Sequence, residues 1–219
     1  MEYKNVHVLN HPLAQEILTK VRDKRTNQVE FRKGISRLGR LIGYELIKTM
    51  KFKEITVETP IAPAKGIEIT EKKDVLIVTV LRASIPLTDG LLKAFPEARQ
   101  GIISAKRIEL EDAKAVNYQF DIKIDYMNVP EIRNDTVLII SDPMLASGST
   151  MVKVIDTLLK KSKPKRLILA SVISCPTGLE RVLKAFPQAE IITVAIDPEL
   201  NNKGYIVPGL GDAGDRSFH

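Results

Sequence analysis

The sequence predicts an α/β fold, a parallel twisted sheet flanked by helices. Three observations predict it. Val75-Leu76-Ile77-Val78-Thr79-Val80-Leu81 is a continuous apolar run rich in β-branched residues, the pattern of a strand buried on both faces. Similar runs recur at 101–104, 137–141, 167–174 and 191–196. Helical periodicity lies between several of them, and strands that alternate with helices give a parallel sheet. Ligands of such sheets settle beyond the carboxyl ends of the strands, so those ends are where chemistry is sought.

The remaining elements follow in order. Asn10 is predicted to cap a first helix, with Pro12 in its first turn and Leu13, Ile17 and Val21 on one face. A polar break at 23–28 precedes a second helix, on which Phe31, Ile35, Leu38, Ile42 and Leu46 keep helical spacing. The segment 55–73 holds two prolines and alternating polar residues, and reads as irregular or as edge strand. Helices are predicted at 87–95 and at 149–161, the latter with Met151, Val154, Ile155, Leu158 and Leu159 on one side. Thr177-Gly178-Leu179-Glu180 reads as a capping box that opens another helix ending before Pro187. The interval 106–130 breaks the rhythm. Its alternating stretch from Tyr118 to Tyr126 predicts a hairpin projecting from the sheet, over the site. Nothing repeats and no low-complexity linker divides the chain, so a single domain over 1–219 is expected.

Composition narrows the classes. The chain has 219 residues, 44% of them hydrophobic, enough for one good core. No stretch approaches the ~18 uninterrupted apolar residues of a membrane span. Met1-Glu2-Tyr3-Lys4-Asn5-Val6 lacks the layout of a signal peptide, and a cytoplasmic protein is expected. The one cysteine, Cys175, allows no disulfide framework and no cysteine metal cluster. It ends an apolar run and reads as a small buried hydrophobe. A net charge of +6 suits a polyanion, either nucleic acid or a phosphorylated sugar. The basic residues do not gather with aromatics, however, and Trp is absent. The densest cluster, Lys160, Lys161, Lys163, Lys165 and Arg166, follows a helical pattern and reads as its solvated end. Neither nucleic acid nor membrane is an expected partner, and no residue is assigned to a metal.

Three strand ends carry chemistry. In Leu81-Arg82-Ala83-Ser84 an arginine beside small residues can present its fork to a phosphate while backbone amides approach closely. An arginine at a strand end is also a common surface ion-pair residue. The second segment, Val137-Leu138-Ile139-Ile140-Ser141-Asp142-Pro143-Met144-Leu145-Ala146-Ser147-Gly148-Ser149-Thr150, runs into a helix. Loop amides and the hydroxyls of Ser147, Ser149 and Thr150 at a helix start suit a monophosphate, and Asp142 suits sugar hydroxyls. A Walker loop is excluded, because its Gly-Lys-[Ser/Thr] ending is missing. The blander alternative makes a serine the helix cap and Asp142 a turn former. In the third segment, Gly209, Gly211 and Gly214 match G-x-G-x-x-G in form. Only five residues follow Gly214, so no helix is expected there to receive a dinucleotide pyrophosphate. A glycine-dense loop does let backbone groups read a small planar ligand, and the apolar Ile206, Val207 and Leu210 argue for a packed loop.

The second segment resembles the PRPP (5-phosphoribosyl 1-pyrophosphate) loop of type I phosphoribosyltransferases. Asp142-Pro143-Met144-Leu145-Ala146, with proline in place of a second acid, resembles the uracil phosphoribosyltransferase family. Tyr205-Ile206-Val207-Pro208-Gly209-Leu210-Gly211-Asp212-Ala213-Gly214-Asp215-Arg216 is similar to that family's uracil-binding signature along its whole length, and Leu81-Arg82-Ala83 to its pyrophosphate loop. Arg22-Asp23-Lys24 and Val57-Glu58-Thr59-Pro60 extend the resemblance, and 197–204 is similar to archaeal members. This sequence has Ser149 in place of a frequent glycine, Ser84 where glycine is common, and Ala105-Lys106 rather than a tyrosine before Arg107.

The resemblance implies the type I phosphoribosyltransferase fold with a small C-terminal base-binding hood. It implies transfer of ribose 5-phosphate from PRPP to uracil, giving UMP and pyrophosphate. Arg82, Asp142 and Asp212 would be catalytic. PRPP would be held by Arg82, Arg107, Asp142, Pro143, Met144, Leu145, Ala146, Ser147, Gly148, Ser149, Thr150 and Asp212. Uracil would be read by Ile206, Gly211, Asp212 and Ala213, with Mg2+ carried by PRPP as cofactor. A homodimer or homotetramer is implied, as is a GTP effector in some members. The rivals are a phosphoribosyltransferase for another base and a PRPP-responsive regulator or non-catalytic homologue.

Overall fold

The apolar runs become strands of one seven-stranded sheet in a computed structural model that describes residues 3–108, 120–160 and 162–219. In chain order the first elements are β1 (Val6–Val8), α1 (Pro12–Arg22), α2 (Gln28–Lys48), β2 (Phe52–Glu58) and β3 (Pro63–Ile69). A 3-10 turn then leads into β4 (Val75–Leu81), α3 (Ile85–Ala94), β5 (Arg99–Arg107), β6 (Ile122–Asn128) and β7 (Val137–Ser141). The rest are β8 (Met144–Leu145), α4 (Ser149–Leu159), β9 (Arg166–Ala170), β10 (Ile173–Ser174), α5 (Pro176–Ala185), β11 (Glu190–Thr193), β12 (Ala195–Ile196), β13 (Glu199–Leu200), β14 (Ile206–Val207) and α6 (Ala213–Phe218).

The main sheet runs β1-β11-β9-β7-β4-β5-β6, parallel throughout except for β6. Ser141 sits opposite Ala170, so β7 and β9 end level, while β4, with Thr79 opposite Ser141, runs two residues further to Leu81. Their side chains alternate between two cores. Ile77, Ile139 and Ile168 face α1, α2 and α3, while Leu76, Leu138, Ile140 and Leu169 face α4 and α5. That two-sided burial is why these strands read as unbroken apolar runs. Phe31, Ile35, Leu38, Ile42 and Leu46 are all buried as predicted, whereas Leu13 is 38% exposed.

Several local expectations are corrected. The first helix is capped by His11, whose ring accepts from the Leu13 amide at 3.1 Å, not by Asn10. Cys175, buried as expected, is the N-cap of α5, and Pro176 is its first residue, so Thr177–Glu180 is not a capping box. Segment 52–69 is a regular antiparallel hairpin, Phe52 opposite Ile69 through Glu58 opposite Pro63. Its pattern was unreadable because most of its side chains, on both faces, are exposed. Among the described residues it pairs with no other strand. The hairpin foreseen at 106–130 is formed by the antiparallel β5 and β6, with β6 as an edge of the main sheet, and the part of it at 109–119 lies outside the described residues. There β6 pairs with β5 from Asn128 opposite Ile102 to Ile122 opposite Arg107, with a bulge at Ser104/Ala105. Tyr118 and Gln119 lie outside the described residues. The runs at 167–174 and 191–196 each break in two, and their second halves join β8 in a small parallel sheet, β12-β10-β8. Part of the basic cluster is not simply solvated. Lys165 donates to buried Glu71 at 2.6 Å, and Arg166 pairs with Glu190 at 2.7 Å. Lys161 lies outside the described residues. No helix among them is long and apolar enough to cross a membrane.

Helices α2 and α3 approach until backbone meets backbone. A Cβ at Gly90 would strike the Ser36 carbonyl, and one at Gly39 the Leu87 carbonyl. Alanine normally favours a helix over glycine by ~1 kcal/mol, but the overpacking here reverses the sign. Gly90→Ala is expected to lose about 2 kcal/mol or more of stability in urea titration. An unchanged midpoint would show that the helices can move apart freely.

Candidate active site

Where β7 ends, the chain turns at Asp142 and is fastened to its neighbours. The Asp142 amide donates to the Ala170 carbonyl at 3.1 Å. The Pro143 carbonyl accepts from Val172 and Ile173, and that of Leu145 accepts from Cys175. The loop then reaches Gly148, which occupies the N-cap of α4 with φ of 79°, and no side chain caps that helix. The cap reading for Ser147 or Ser149 is therefore overturned, although the Ser149 amide reaches Ser147 Oγ at 3.4 Å. First-turn amides of α4 point into the loop, as an anion site requires. The start of α5 packs directly on this loop. A Cβ at Gly148 would lie 2.9 Å from the Gly178 carbonyl, and one at Gly178 would strike the carbonyls of Ala146 and Leu145.

The serine hydroxyls are already engaged. Ser147 Oγ lies 3.3 Å from Ser149 Oγ. Arg181 of α5 donates to the Ser147 carbonyl and, at 3.0 Å, to Ser149 Oγ. The Phe120 amide donates to the same hydroxyl at 3.2 Å. Phe120 in turn lies under the Arg107 guanidinium, 4.1 Å from its ring centre. Arg107 and Asp142 line one cleft together with Met144 to Gly148, Thr150 and Met151. Burial pushes the Asp142 carboxyl up to about 7, opposed by the Met144 amide and by the charge of Arg107.

The third segment forms its own hood. β13 and β14 pair antiparallel, and Asn201 Oδ1 accepts the amides of Lys203 and Tyr205 to close the turn between them. Beyond β14 the chain passes a cis Val207–Pro208 bond and two left-handed glycines, Gly209 (φ 64°) and Gly211 (φ 79°). Asp212 then caps α6, its Oδ1 accepting the Asp215 amide at 2.9 Å. A six-residue helix does form here, but it starts at Ala213 and contains Gly214 rather than following the three glycines. A Cβ at Gly214 would lie 3.1 Å from Asp212 Oδ1 and 4.0 Å from Ala83, so this loop abuts the end of β4. There Arg82 is exposed, its Nη2 3.2 Å from His219 Nε2 and its guanidinium 5.8 Å from the Phe218 ring.

This arrangement has known counterparts. The family model described as "Uracil phosphoribosyltransferase" matches residues 8–219. The chain belongs to the uracil phosphoribosyltransferase family. A protein of Pyrobaculum arsenaticum named uracil phosphoribosyltransferase is 50% identical, over 97% of this chain and 98% of its own. One of the same name from Metallosphaera sedula is 48% identical over 97% and 99%. Among solved structures, the AQ2163 protein of Aquifex aeolicus superposes with a TM-score of 0.85 at 32% identity, covering 97% of both chains.

Of the residues chosen from sequence, Arg107, Asp142, Met144, Leu145, Ala146, Ser147, Gly148 and Thr150 share one cleft, while Pro143 and Ser149 do not line it. Arg82 and Asp212 do not line it; their loops meet at Ala83 and Gly214. Sequence reasoning missed Arg181, Phe120 and Gly178, whose contacts come from other elements and carry no local signal.

A raised carboxyl pKa has a definite stability sign. The protonated carboxyl suits the fold, so its contribution is full below the ordinary value of 3.8 and is lost as pH rises through about 7. Asp142→Asn removes that cost. The variant is expected to gain stability over the parent as pH rises across this window, and to hold a constant gain above it. The plateau should be on the order of 2 kcal/mol, tempered by the partial exposure of the side chain. Thermal melts across the pH range check this, and a pH-independent difference would refute it.

Proposed function

We propose that this chain transfers ribose 5-phosphate from PRPP to uracil, forming UMP and pyrophosphate. The observation that carries the proposal is that two of the three segments leave the carboxyl ends of neighbouring central strands and the third abuts the first of them, in a chain matched by its family model over 8–219. Family membership supports the reaction, and the geometry supports the roles of individual residues. The reaction belongs to the whole chain acting as a single domain over 1–219.

The α4 amides and the Ser147–Thr150 loop hold the 5-phosphate. Ser149 serves through its amide, since its hydroxyl is taken up by Phe120 and Arg181. Met144, Leu145 and Ala146 line the cleft, while the carbonyls of Pro143 and Leu145 fasten the loop. Asp142, as carboxylate, accepts the ribose hydroxyls. Arg82 and Arg107 flank the pyrophosphate and draw charge toward the leaving group. Ile206, Gly211 and Ala213 read uracil through their backbones, and Asp212 stands between base and PRPP. Catalysis is then positioning and charge stabilisation around ribose C1.

No cluster of three acidic, histidine or cysteine side chains exists among the described residues to cage a metal. Asp142 would stand beside a Mg2+ brought in by PRPP, and the ion would neutralise charge on the pyrophosphate. A homodimer or homotetramer belongs to the same proposal. It is supported by the exposed Phe52, Ile61 and Ile67 on the β2–β3 hairpin.

Product formation from individual bases with PRPP and Mg2+ tests the function. Uracil is expected to exceed cytosine by roughly four orders of magnitude in kcat/KM, because a mismatched base leaves buried hydrogen-bonding groups unpaired. Faster reaction with any purine would overturn the assignment of Tyr205–Arg216 to uracil. Arg82→Lys keeps the charge but loses the fork, and should cost about 100-fold in kcat/KM for PRPP. Kinetics equal to the parent would reduce Arg82 to a surface residue.

A further inference from the structure

The loop between β14 and α6 has no ladder to hold it, yet it must keep its backbone groups fixed to discriminate a base. Its fixed point is an ion pair from elsewhere in the chain. Arg22, in the last turn of α1, meets Asp197, which follows β12, through two parallel bonds of 2.6 Å. Asp197 is only 5% exposed. Together the two side chains consume both backbone polar groups of Gly209. Asp197 Oδ2 accepts its amide at 2.9 Å, and Arg22 Nη1 donates to its carbonyl at 2.8 Å. The next carbonyl, that of Leu210, accepts from Arg216 at 2.7 Å. Arg216 also holds the carbonyls of Val21 and Asp23, on either side of Arg22. The amide and carbonyl of Gly211, which is exposed, make no hydrogen bond among the described residues.

We infer that Arg22 and Asp197 form the positioning pair for base recognition: by locking the Gly209 peptide groups they aim the free peptide groups of Gly211 at the base. Neither side chain touches the base. Each is a positioning residue that acts through Gly209. The bidentate geometry matters, because a fork meeting a carboxylate fixes orientation as well as distance. A peptide group displaced by even 1 Å loses about 100-fold in productive binding. The inference rests on the proposed uracil-binding role of 205–216. It goes beyond it by placing the origin of specificity at α1 and at the end of β12.

The experiment compares the parent with Arg22→Lys and Asp197→Asn. The quantities measured are KM for uracil, the uracil-to-cytosine ratio of kcat/KM, and the Kd of PRPP with Mg2+ by calorimetry. The parent must first form UMP from uracil; failure there sinks the functional proposal itself. Given an active parent, each variant is expected to raise the uracil KM by about 30-fold or more, with PRPP affinity within about 2-fold. The base ratio should fall by at least about 10-fold. A merely structural bridge would lower stability and weaken both substrates alike, and that result overturns the inference. So does a folded variant with parental uracil KM and base ratio, and so does failure of both variants to fold. If one variant alone fails to fold, the other decides.

Discussion

The parallel pairing of β4 with β7, Val75 opposite Val137 through Thr79 opposite Ser141, is the constraint on which the site depends. Parallel strands send their carboxyl ends to the same side of the sheet, and these two are buried on both faces, so neither can slip without moving a whole layer of side chains. The loops that leave them, one through Arg82 and one through Asp142, are therefore neighbours before any ligand arrives. The level ending of β9 brings Ala170 to accept the Asp142 amide, and Asp142 is thus placed by sheet register, with the Met144 amide on its carboxylate as the one further hold among the described residues.

Beyond the strand ends, order comes from guanidinium groups. Loop carbonyls need partners as strand carbonyls do. Here Arg181 supplies one to Ser147, Arg22 one to Gly209, and Arg216 three, to Leu210, Val21 and Asp23. Stacking of Arg216 on Phe31, 4.3 Å from the ring centre, ties the last of these to the helical core. An arginine has five donors on a planar fork, which lets one side chain serve several carbonyls at once.

Legibility followed the range of the interactions. The strand 137–141 and the hydroxyl-rich turn after it were visible because burial and helix entry leave contiguous signals. The edge role of β6 was half visible. Its alternation showed a strand, but nothing in it showed that its partner was β5 within the main sheet. The β2–β3 hairpin was obscured because most of its side chains are exposed on both faces, which leaves no one-sided pattern. The Arg22–Asp197 pair spans 175 residues and Arg181–Ser147 spans 34, separations at which a single sequence offers no spacing to read. The capping errors at His11 and Cys175 arose because each cap sits directly before a proline, Pro12 and Pro176, whose fixed φ sets the helix start regardless of the better capping residue nearby.

The two margins of the main sheet carry a consequence for self-association. One margin, β1, is only three residues long. The other, β6, carries Lys123 and Asp125, which join Lys106 of β5 in an ion-pair cluster, and lies beside the bulge at Ser104/Ala105. Short length, charge and local twist are the features that stop a bare sheet edge from recruiting another strand. Copies of this chain crowded together therefore find no long, flat, uncharged backbone ladder on the main sheet to extend, and fibril-like growth from its folded state is disfavoured at both ends.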